Sequence, residues 1–475
     1  MMNSELQFEI GIVGLGVMGR NLMLNIADHG FSVAGYDNDQ AKVDDLRKEP
    51  DKRKILYTSI LDEFIDCLSK PRSIILLVPA GAPVDSVIES LSVRLQEDDL
   101  IIDSGNSYFK DTDLRTGILK MKGIHFMGLG ISGGEEGARK GASLMPGGEK
   151  EAFEKVKPIL EAVSEKVNGE PCVAYMGPGS AGHFVKMVHN GIEYGVMQLI
   201  SETYALMKLM LGYTEDKLEE IYTEWNRGEL NSFLVEITAE IFARVDEKTG
   251  TRLIDKILDV SRQKGTGMWT SQSAMELQVP VPTIDTSVTM RNLSVFEKDR
   301  KLANQIYRTP TFPLTEDPDK ILIQLRKSLY VSMVITYSQG FALLYAASEK
   351  YNYQLDLKTI SRIWRGGCII RAALLDDIMK AFENDSQVRN LLFDPFLSAQ
   401  IKNNQDNLRQ IISLANSMEI AIPGLMSALA YLDAFRSSWL PANLIQAQRD
   451  FFGGHTYERN DAKGTYHTEW LKTVK

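Results

Sequence analysis

Cysteine is scarce in this chain of 475 residues: Cys67, Cys172 and Cys368 are odd in number and far apart. That usage argues against a disulfide framework and against a zinc site. No apolar run approaches the roughly 18 residues that a membrane span needs. Residues Met1 to Gln7 lack the basic region and apolar stretch of a secretory signal. Low-complexity tracts are missing too, and positive charge is in deficit. With 53 Lys and Arg against 63 Asp and Glu, the net charge of −10 speaks against nucleic acid as a partner. The expectation is a cytoplasmic protein with no metal site and no membrane partner. An anionic ligand would then need a local basic cluster within an acidic protein. What is present is an ordinary globular composition, 44% hydrophobic and 24% charged, with length enough for two or three domains.

The stretch from Gly182 to Met197 opens a proline-free run that continues to Met207. At helical period Lys186, His189, Asn190 and Glu193 fall at i, i+3, i+4 and i+7 and share one face. Val185, Met187, Val188, Ile192, Val196 and Leu199 make the other faces too apolar for a surface helix. Four polar groups buried unpaired would cost several kcal/mol each, so they line a polar cavity or pair internally. Spacing alone leaves both readings open, a site or a structural Lys–Glu ion pair.

Ahead of this run, Phe8 to Val13 reads as a strand, Arg20 to His29 as a helix and Phe31 to Tyr36 as a second strand, ended by Asp37. Between the first strand and the helix lies Gly14-Leu-Gly-Val-Met-Gly19. This is the order of a dinucleotide-binding unit: one glycine for the turn, one for the approach of the pyrophosphate, and a helix N-terminus facing its charge. Ser73 to Val78, Leu100 to Asp103 and Ile124 to Met127 continue as strands, with Asp85 to Arg94 a helix. Two glycine-rich loops, Ser104 to Ser107 and Ser132 to Gly137, follow strand ends, where backbone amides hold carboxylates or phosphates or simply make turns. Gly177 to Gly182 reads as a hinge. Helical patterns dominate beyond it, and Ile221 to Gly228 is echoed by Ile360 to Gly367, with Trp225 and Trp364 aligned. A duplicated helical unit follows from that echo, and only its first copy carries the Lys–His–Asn–Glu stripe. The expected division is a Rossmann-like doubly wound domain over residues 1–178, an all-helical domain over 179–440 and a tail over 441–475. That tail holds Phe451, Phe452, Tyr457, Tyr466 and Trp470, which need a surface to bury against.

Taken together, Gly14 to Gly19, Ser132 to Arg139, Gly182 to Tyr194, Lys264-Gly-Thr-Gly267 and Gln448 to Tyr457 resemble the 6-phosphogluconate dehydrogenase family, within the β-hydroxyacid dehydrogenases. The resemblance implies oxidation of 6-phosphogluconate at C3, loss of its carboxylate as CO2 and release of ribulose 5-phosphate, a step of the pentose phosphate pathway and of gluconate use. It implies Lys186 as the base and Glu193 as the acid. His189 and Asn190 would bind the sugar acid, with Asn106, Ser132, Gly133 and Gly134 at its carboxylate end. Tyr194, Lys264, Thr266, Arg291 and Arg449 would hold the phosphate. It also implies a homodimer in which the tail brings Arg449 and His455 into the neighbour's site. The cofactor would lie on Gly14, Leu15, Gly16, Val17, Met18, Gly19, Asp37, Asn38, Asp39, Val78 and Asn106.

The chain departs from the family's pattern at four points. Asp37-Asn38-Asp39 stands where members that use NADP carry Asn-Arg-Thr, and Pro79 stands where lysine is usual. A carboxylate at that strand end accepts from a ribose 2′-hydroxyl and repels a 2′-phosphate, by about 4 kcal/mol at 4 Å and an effective dielectric of 20. NAD is therefore expected over NADP. The alternative is that Asp37 caps the turn while Arg20 or Lys42 supplies charge, giving dual use. Ser104 and Met268 replace a usual glycine and a usual lysine without removing an assigned role. The competing functions are a β-hydroxyacid dehydrogenase acting on a small unphosphorylated acid, and a non-catalytic cofactor-binding regulator.

Overall fold

Parallel strands covered on both faces need uninterrupted apolar runs. Ile10–Val13 (β1), Ser73–Leu76 (β4) and Leu100–Asp103 (β5) are such runs, and every residue in them is buried. With Val33–Tyr36 (β2), Ile55–Thr58 (β3), His125–Ser132 (β6) and Ser143–Gly148 (β7) they make one sheet, ordered β3-β2-β1-β4-β5-β6-β7. All neighbours are parallel except β6 and β7, which run antiparallel. Strand order reverses between β1 and β4, which opens a crevice at their carboxyl ends. The structure is a computed structural model that describes residues 7–48, 53–307, 314 and 316–471.

Helices cover both faces of the sheet. They are Val17–Asp28 (α1), Gln40–Arg47 (α2), Leu61–Asp66 (α3), Ala82–Ser92 (α4), Phe109–Lys120 (α5), Gly134–Lys140 (α6) and Lys150–Val163 (α7). Ile10, Ile12, Leu100 and Ile102 pack with α1 and α7, while Val13, Ile74, Leu76 and Ile101 pack with α3, α4 and α5. β3 and β7 were not expected from sequence. β3 is a half-exposed edge, and β7 carries Pro146, Gly147 and Gly148, residues that weaken any strand signal. The loop expected over Ser132 to Gly137 is mostly not a loop. Ser132 ends β6, Gly133 takes a left-handed conformation, and α6 begins at Gly134.

Beyond the sheet the first unit of the chain is helical: Ala181–Leu209 (α8), Glu215–Trp225 (α9), Phe233–Ala243 (α10), Thr266–Glu276 (α11), Pro282–Ser294 (α12), Glu297–Ile306 (α13), Pro318–Tyr351 (α14), Leu357–Ile363 (α15), Leu374–Asn384 (α16) and Pro395–Ser417 (α17). The first residues of α8 lie directly on the sheet because glycines meet there. A side chain on Gly182 would collide with the Met145 and Gly128 carbonyls, and one on Gly130 with the stem of Lys186. Contrary to the reading of the sequence, α14 is long and apolar enough to cross a membrane, yet 83% of its most apolar stretch is buried in this fold, as a core helix should be. The duplication expected from the tryptophan echo is visible in space. α8 and α14 pack together, and each leads to a short helix closed by a buried tryptophan, Trp225 or Trp364. The segments that follow pair with each other, Phe233 N–H to the Arg371 carbonyl at 3.0 Å and Ala373 N–H to the Asn231 carbonyl at 2.9 Å.

By contact density the chain divides into units 1–428 and 429–475, and the expected start of the tail at residue 441 falls within the second. The division runs through helix Pro423–Phe435 (α18). The second unit then holds Ala442–Gly453 (α19) and a small hairpin pairing Tyr457–Glu458 with Thr465–Tyr466. Its organising group is Asp450, fully buried, whose carboxylate accepts from Thr456 N–H, Thr468 N–H and Trp470 Nε1 at 2.8–3.0 Å and meets His467 at 2.8 Å. Burial alone would raise its pKa, but these donors hold it down at about 2. Phe451, Phe452 and Trp470 nonetheless remain 54%, 73% and 42% exposed, along a groove shared with Leu444 and Ala447.

Candidate active site

At the crevice, Gly14 has φ +98°, where a side chain is strained, and an added Cβ would sit 2.7 Å from the Leu77 carbonyl. A Cβ on Gly16 would meet nothing, whereas one on Gly19 would strike the Gly14 carbonyl. The N-terminus of α1 has no side-chain cap, so its first amides stand open beside the space over Gly16. These are the requirements for a bound pyrophosphate, and the residues fit a dinucleotide. A cavity of about 320 Å³ continues from there, lined by Gly14, Asp37, Asn38, Val78 and Pro79 among others.

Not every expected cofactor residue faces that cavity. The Leu15 side chain is buried in the core and its N–H donates to Asp37 Oδ2 at 2.8 Å, so its amide is already engaged. Gly19 serves helix packing. Gly16 and Val17 are exposed at the start of α1, with Met18 half-buried behind them. Asp39 caps α2 through the Ala41 N–H at 3.0 Å. Asp37 accepts from the Asp39 N–H at 3.0 Å with its other oxygen and has Lys42 Nζ at 3.4 Å. Asp37 thus holds the turn together and is also the one charged side chain lining the cavity among the described residues.

Pro79 belongs to both this cavity and a second, of about 820 Å³, so the two share a wall. The second is lined by Asn106, Asn190, Glu193, Tyr194, Lys264, Thr266 and Arg291, which sequence reading had assigned to the sugar acid. Asn106 is held in a left-handed conformation, with its side-chain amide paired to both backbone groups of Ile131 at 3.1 and 3.3 Å. Arg291 stacks on the Tyr194 ring at 3.5 Å. Trp269 on the cavity wall meets Tyr108 at 5.1 Å between ring centres, and Lys110, two residues on, bonds Glu276 at 2.7 Å.

Lys186, His189 and Ser132 are buried off that wall, and Gly133 and Gly134, half-buried and exposed at the start of α6, do not line it either. Lys186 is 4% exposed and donates to Asn190 Oδ1 at 2.7 Å, with His189 Nδ1 at 3.3 Å. Asn190 in turn donates to Thr266 Oγ1 at 3.0 Å. His189 is fully buried, with Nε2 3.1 Å from Ser132 Oγ and its ring edge against Trp364 at 5.4 Å. Burial pushes the Lys186 amine down to about 8, against the pull of Glu193. Burial, reinforced by Lys186, holds His189 well below its ordinary value, so the imidazole is neutral. Burial also raises the Glu193 carboxyl, opposed by Lys186 and Arg291. Lys186 and Glu193, which would be charged in water, are moved toward neutrality beside a neutral imidazole, and Glu193 keeps 19% of its side chain exposed to the cavity. Such an arrangement suits a donor and an acceptor of protons.

Sequence reading missed the contribution of the second repeat. Besides Trp364 beneath His189, the Ile369 N–H reaches Ser132 Oγ at 3.4 Å, and the Gly367 carbonyl lies where a side chain on Gly133 would be, 2.6 Å away. It also missed Arg262, Gln263 and Trp269 on the cavity wall, although the first two adjoin Lys264. Arg449 and His455 belong to the C-terminal unit, where both are exposed; Arg449 bonds Gln446 at 3.0 Å and His455 packs on Phe452.

A family model described as 6-phosphogluconate dehydrogenase, C-terminal domain, matches residues 182–470, and one described as the NAD binding domain of 6-phosphogluconate dehydrogenase matches residues 9–177. The decarboxylating, NADP(+)-dependent 6-phosphogluconate dehydrogenase of Bacillus subtilis 168 is 51% identical over 98% of this chain and 99% of its own. The decarboxylating enzyme of Escherichia coli K12 is 46% identical over the same shares. The solved 6-phosphogluconate dehydrogenase of Plasmodium falciparum, described with NADP+ and with 6-phosphogluconate, superposes with a TM-score of 0.94 at 44% identity, covering 97% of this chain and 100% of that one. The N-terminal domain is thus a nicotinamide-dinucleotide-binding domain, and the expected preference for NAD finds no support in these relatives.

Proposed function

The chain belongs to the 6-phosphogluconate dehydrogenase family, and on that premise we propose that it converts 6-phosphogluconate to ribulose 5-phosphate and CO2 in the pentose phosphate pathway. The observation that carries this reading is the buried Lys186, joined through Asn190 to a cavity that also holds Glu193 and the cations Lys264 and Arg291. Three parts divide the work: a cofactor domain to residue 178, a helical substrate domain to 440 and a tail beyond it.

The Gly14–Gly19 turn and the open amides of α1 would hold the cofactor's pyrophosphate, with the nucleoside in the cavity beside Asp37. When bound, the nicotinamide supplies the acceptor for the hydride from the C3 carbon. Lys186, neutral above about pH 8, takes the proton from the C3 hydroxyl. Once protonated, its ammonium donates to the C3 oxygen and stabilises the charge that grows there as the C1 carboxylate leaves as CO2. Glu193, whose carboxyl is raised by burial, then gives a proton to the carbon from which the carboxylate departed. Asn190 orients Lys186, and the neutral His189 with Ser132 fixes the helix face they share. Lys264, Thr266 and Arg291, with Tyr194 backing Arg291, receive the phosphate. Arg449 and His455 complete the site of a second copy in a homodimer, whose contact covers the exposed Phe451, Phe452 and Trp470.

The experiment is a substrate screen in which nicotinamide reduction and CO2 release are measured together. Turnover of 6-phosphogluconate at least about 10²-fold faster than of gluconate supports the reading, since a charge-assisted phosphate site is worth several kcal/mol. Equal turnover of both would favour the enzyme of small acids. NAD is preferred over NADP because Asp37 is the one charged side chain in the nucleoside cavity among the described residues. The ion pair from Lys42 favours a second reading, dual use. A kcat/KM ratio above one for NAD over NADP, raised further by Lys42→Ala, supports the first. A ratio below one refutes it.

A further inference from the structure

Residues 257–265 form no helix or strand, yet they bring Arg262 and Lys264 to the wall of the substrate cavity. Their course is set by α12. Ser261 N–H donates to Ser294 Oγ at 2.9 Å, and the side-chain amides of Gln263 and Asn292 bond each other at 2.8 Å. Both partners lie in the last turn of α12, directly after Arg291. The residue between the two cations is thus tied to the helix that carries a third.

The charges on this wall do not cancel. Arg262, Lys264 and Arg291 line it, against the single carboxylate of Glu193 among its described residues. Arg291 is already engaged, stacked on the Tyr194 ring at 3.5 Å. The side chains of Arg262 and Lys264, both exposed, have no ion pair and no hydrogen bond among the described residues. Other cations of this acidic chain find carboxylates, as Arg94 does at Asp62, 2.6 Å away. Even the acid nearest in the segment is taken, for Asp259 bonds Arg300 at 2.7 Å. Two like charges kept one residue apart with no counter-ion repel each other, and an anion from outside relieves them.

The rest of the segment says which anion. It ends at Gly265, the N-cap of α11, which puts no side chain over the first amides of that helix. Thr266, the first residue of α11, also lines the cavity. A hydroxyl, open amides and two unpaired cations suit a doubly charged oxyanion with three free oxygens better than a carboxylate. We propose that Arg262 is a phosphate-binding residue of this site, its planar guanidinium taking two oxygens of the substrate's phosphate beside the point charge of Lys264. The assignment rests on the reading of this cavity as the 6-phosphogluconate site. It adds to that reading a residue on which discrimination between a phosphorylated and an unphosphorylated sugar acid depends.

The test uses two variants: Arg262→Gln removes the charge, and Arg262→Lys keeps the charge without the fork. Wild type and both variants are assayed with 6-phosphogluconate, with inorganic phosphate and gluconate each measured as competitive inhibitors, alongside the KM for the nicotinamide cofactor. Arg262→Gln should raise KM for 6-phosphogluconate and Ki for inorganic phosphate by about tenfold each, the range of one charge-assisted contact, with kcat within about threefold. The Ki of gluconate and the cofactor KM should stay within about twofold of wild type. Arg262→Lys should fall between wild type and Arg262→Gln. An unchanged KM for 6-phosphogluconate in Arg262→Gln makes this arginine a solvated surface charge and overturns the assignment alone. A loss that falls equally on phosphate and gluconate, or on the cofactor KM instead, overturns it too. No turnover of 6-phosphogluconate by wild type overturns the reading of the cavity, and this assignment with it.

Discussion

α8 and α14 are the same helix put to two uses. At the 139-residue spacing of Trp225 and Trp364, the positions of Lys186, His189, Asn190 and Glu193 are occupied on α14 by Leu325, Ser328, Leu329 and Ser332. All four of these are fully buried, and Ser328 turns its hydroxyl back onto the Gln324 carbonyl of its own helix. The second copy therefore kept the packing and holds no ionisable group at these positions. It is not idle, however, because Trp364 and the turn to Ile369 form the floor beneath His189 and Ser132. A duplicated frame lets one copy bear groups that are costly to bury while the other supplies rigid walls that keep them dry.

That contrast can be broken experimentally, beginning with the largest effect. Lys186→Ala should lower kcat by about 10³-fold or more while the substrate Kd, from equilibrium titration, changes by less than about tenfold. Glu193→Gln, which keeps the shape but has no proton to give, should cost about 10²-fold in kcat by steady-state assay. Trp364→Ala and Trp225→Ala should each destabilise by about 3–5 kcal/mol in denaturant unfolding. Only Trp364→Ala should also slow turnover, because only that tryptophan touches His189. Ser328→Ala, at the position matching His189, should shift stability by no more than about 1 kcal/mol and leave kcat unchanged. A loss of turnover there comparable to that of Glu193→Gln would show that chemistry is shared between the copies.

Much of this was legible in the chain because its signals are local. The glycine fingerprint and the four-residue stripe depend on spacing within a few turns, the tryptophan echo on the likeness of two short segments, and α1, α8 and the repeat stand where those patterns put them. What stayed hidden depends on distant neighbours. β7 is a strand only because β6 pairs with it and α8 covers it. Asp37 reads from sequence as a ribose acceptor, and its second occupation, the Leu15 N–H, comes from a turn 22 residues earlier. The floor supplied by Trp364 lies 175 residues from His189 in the chain, beyond any periodicity.

The claim on which the account rests is that Lys186 is a buried amine able to lose its proton near physiological pH. The pH dependence of kcat/KM, compared between wild type and Lys186→Arg, tests it most directly. Because burial lowers this amine to about 8, the basic form grows as pH rises through that value. The account predicts that kcat/KM falls about tenfold per pH unit below about 8, and that this limb disappears with the residual activity of Lys186→Arg. A wild-type profile flat from about pH 6 to 9, or a limb that survives unchanged in Lys186→Arg, would contradict it.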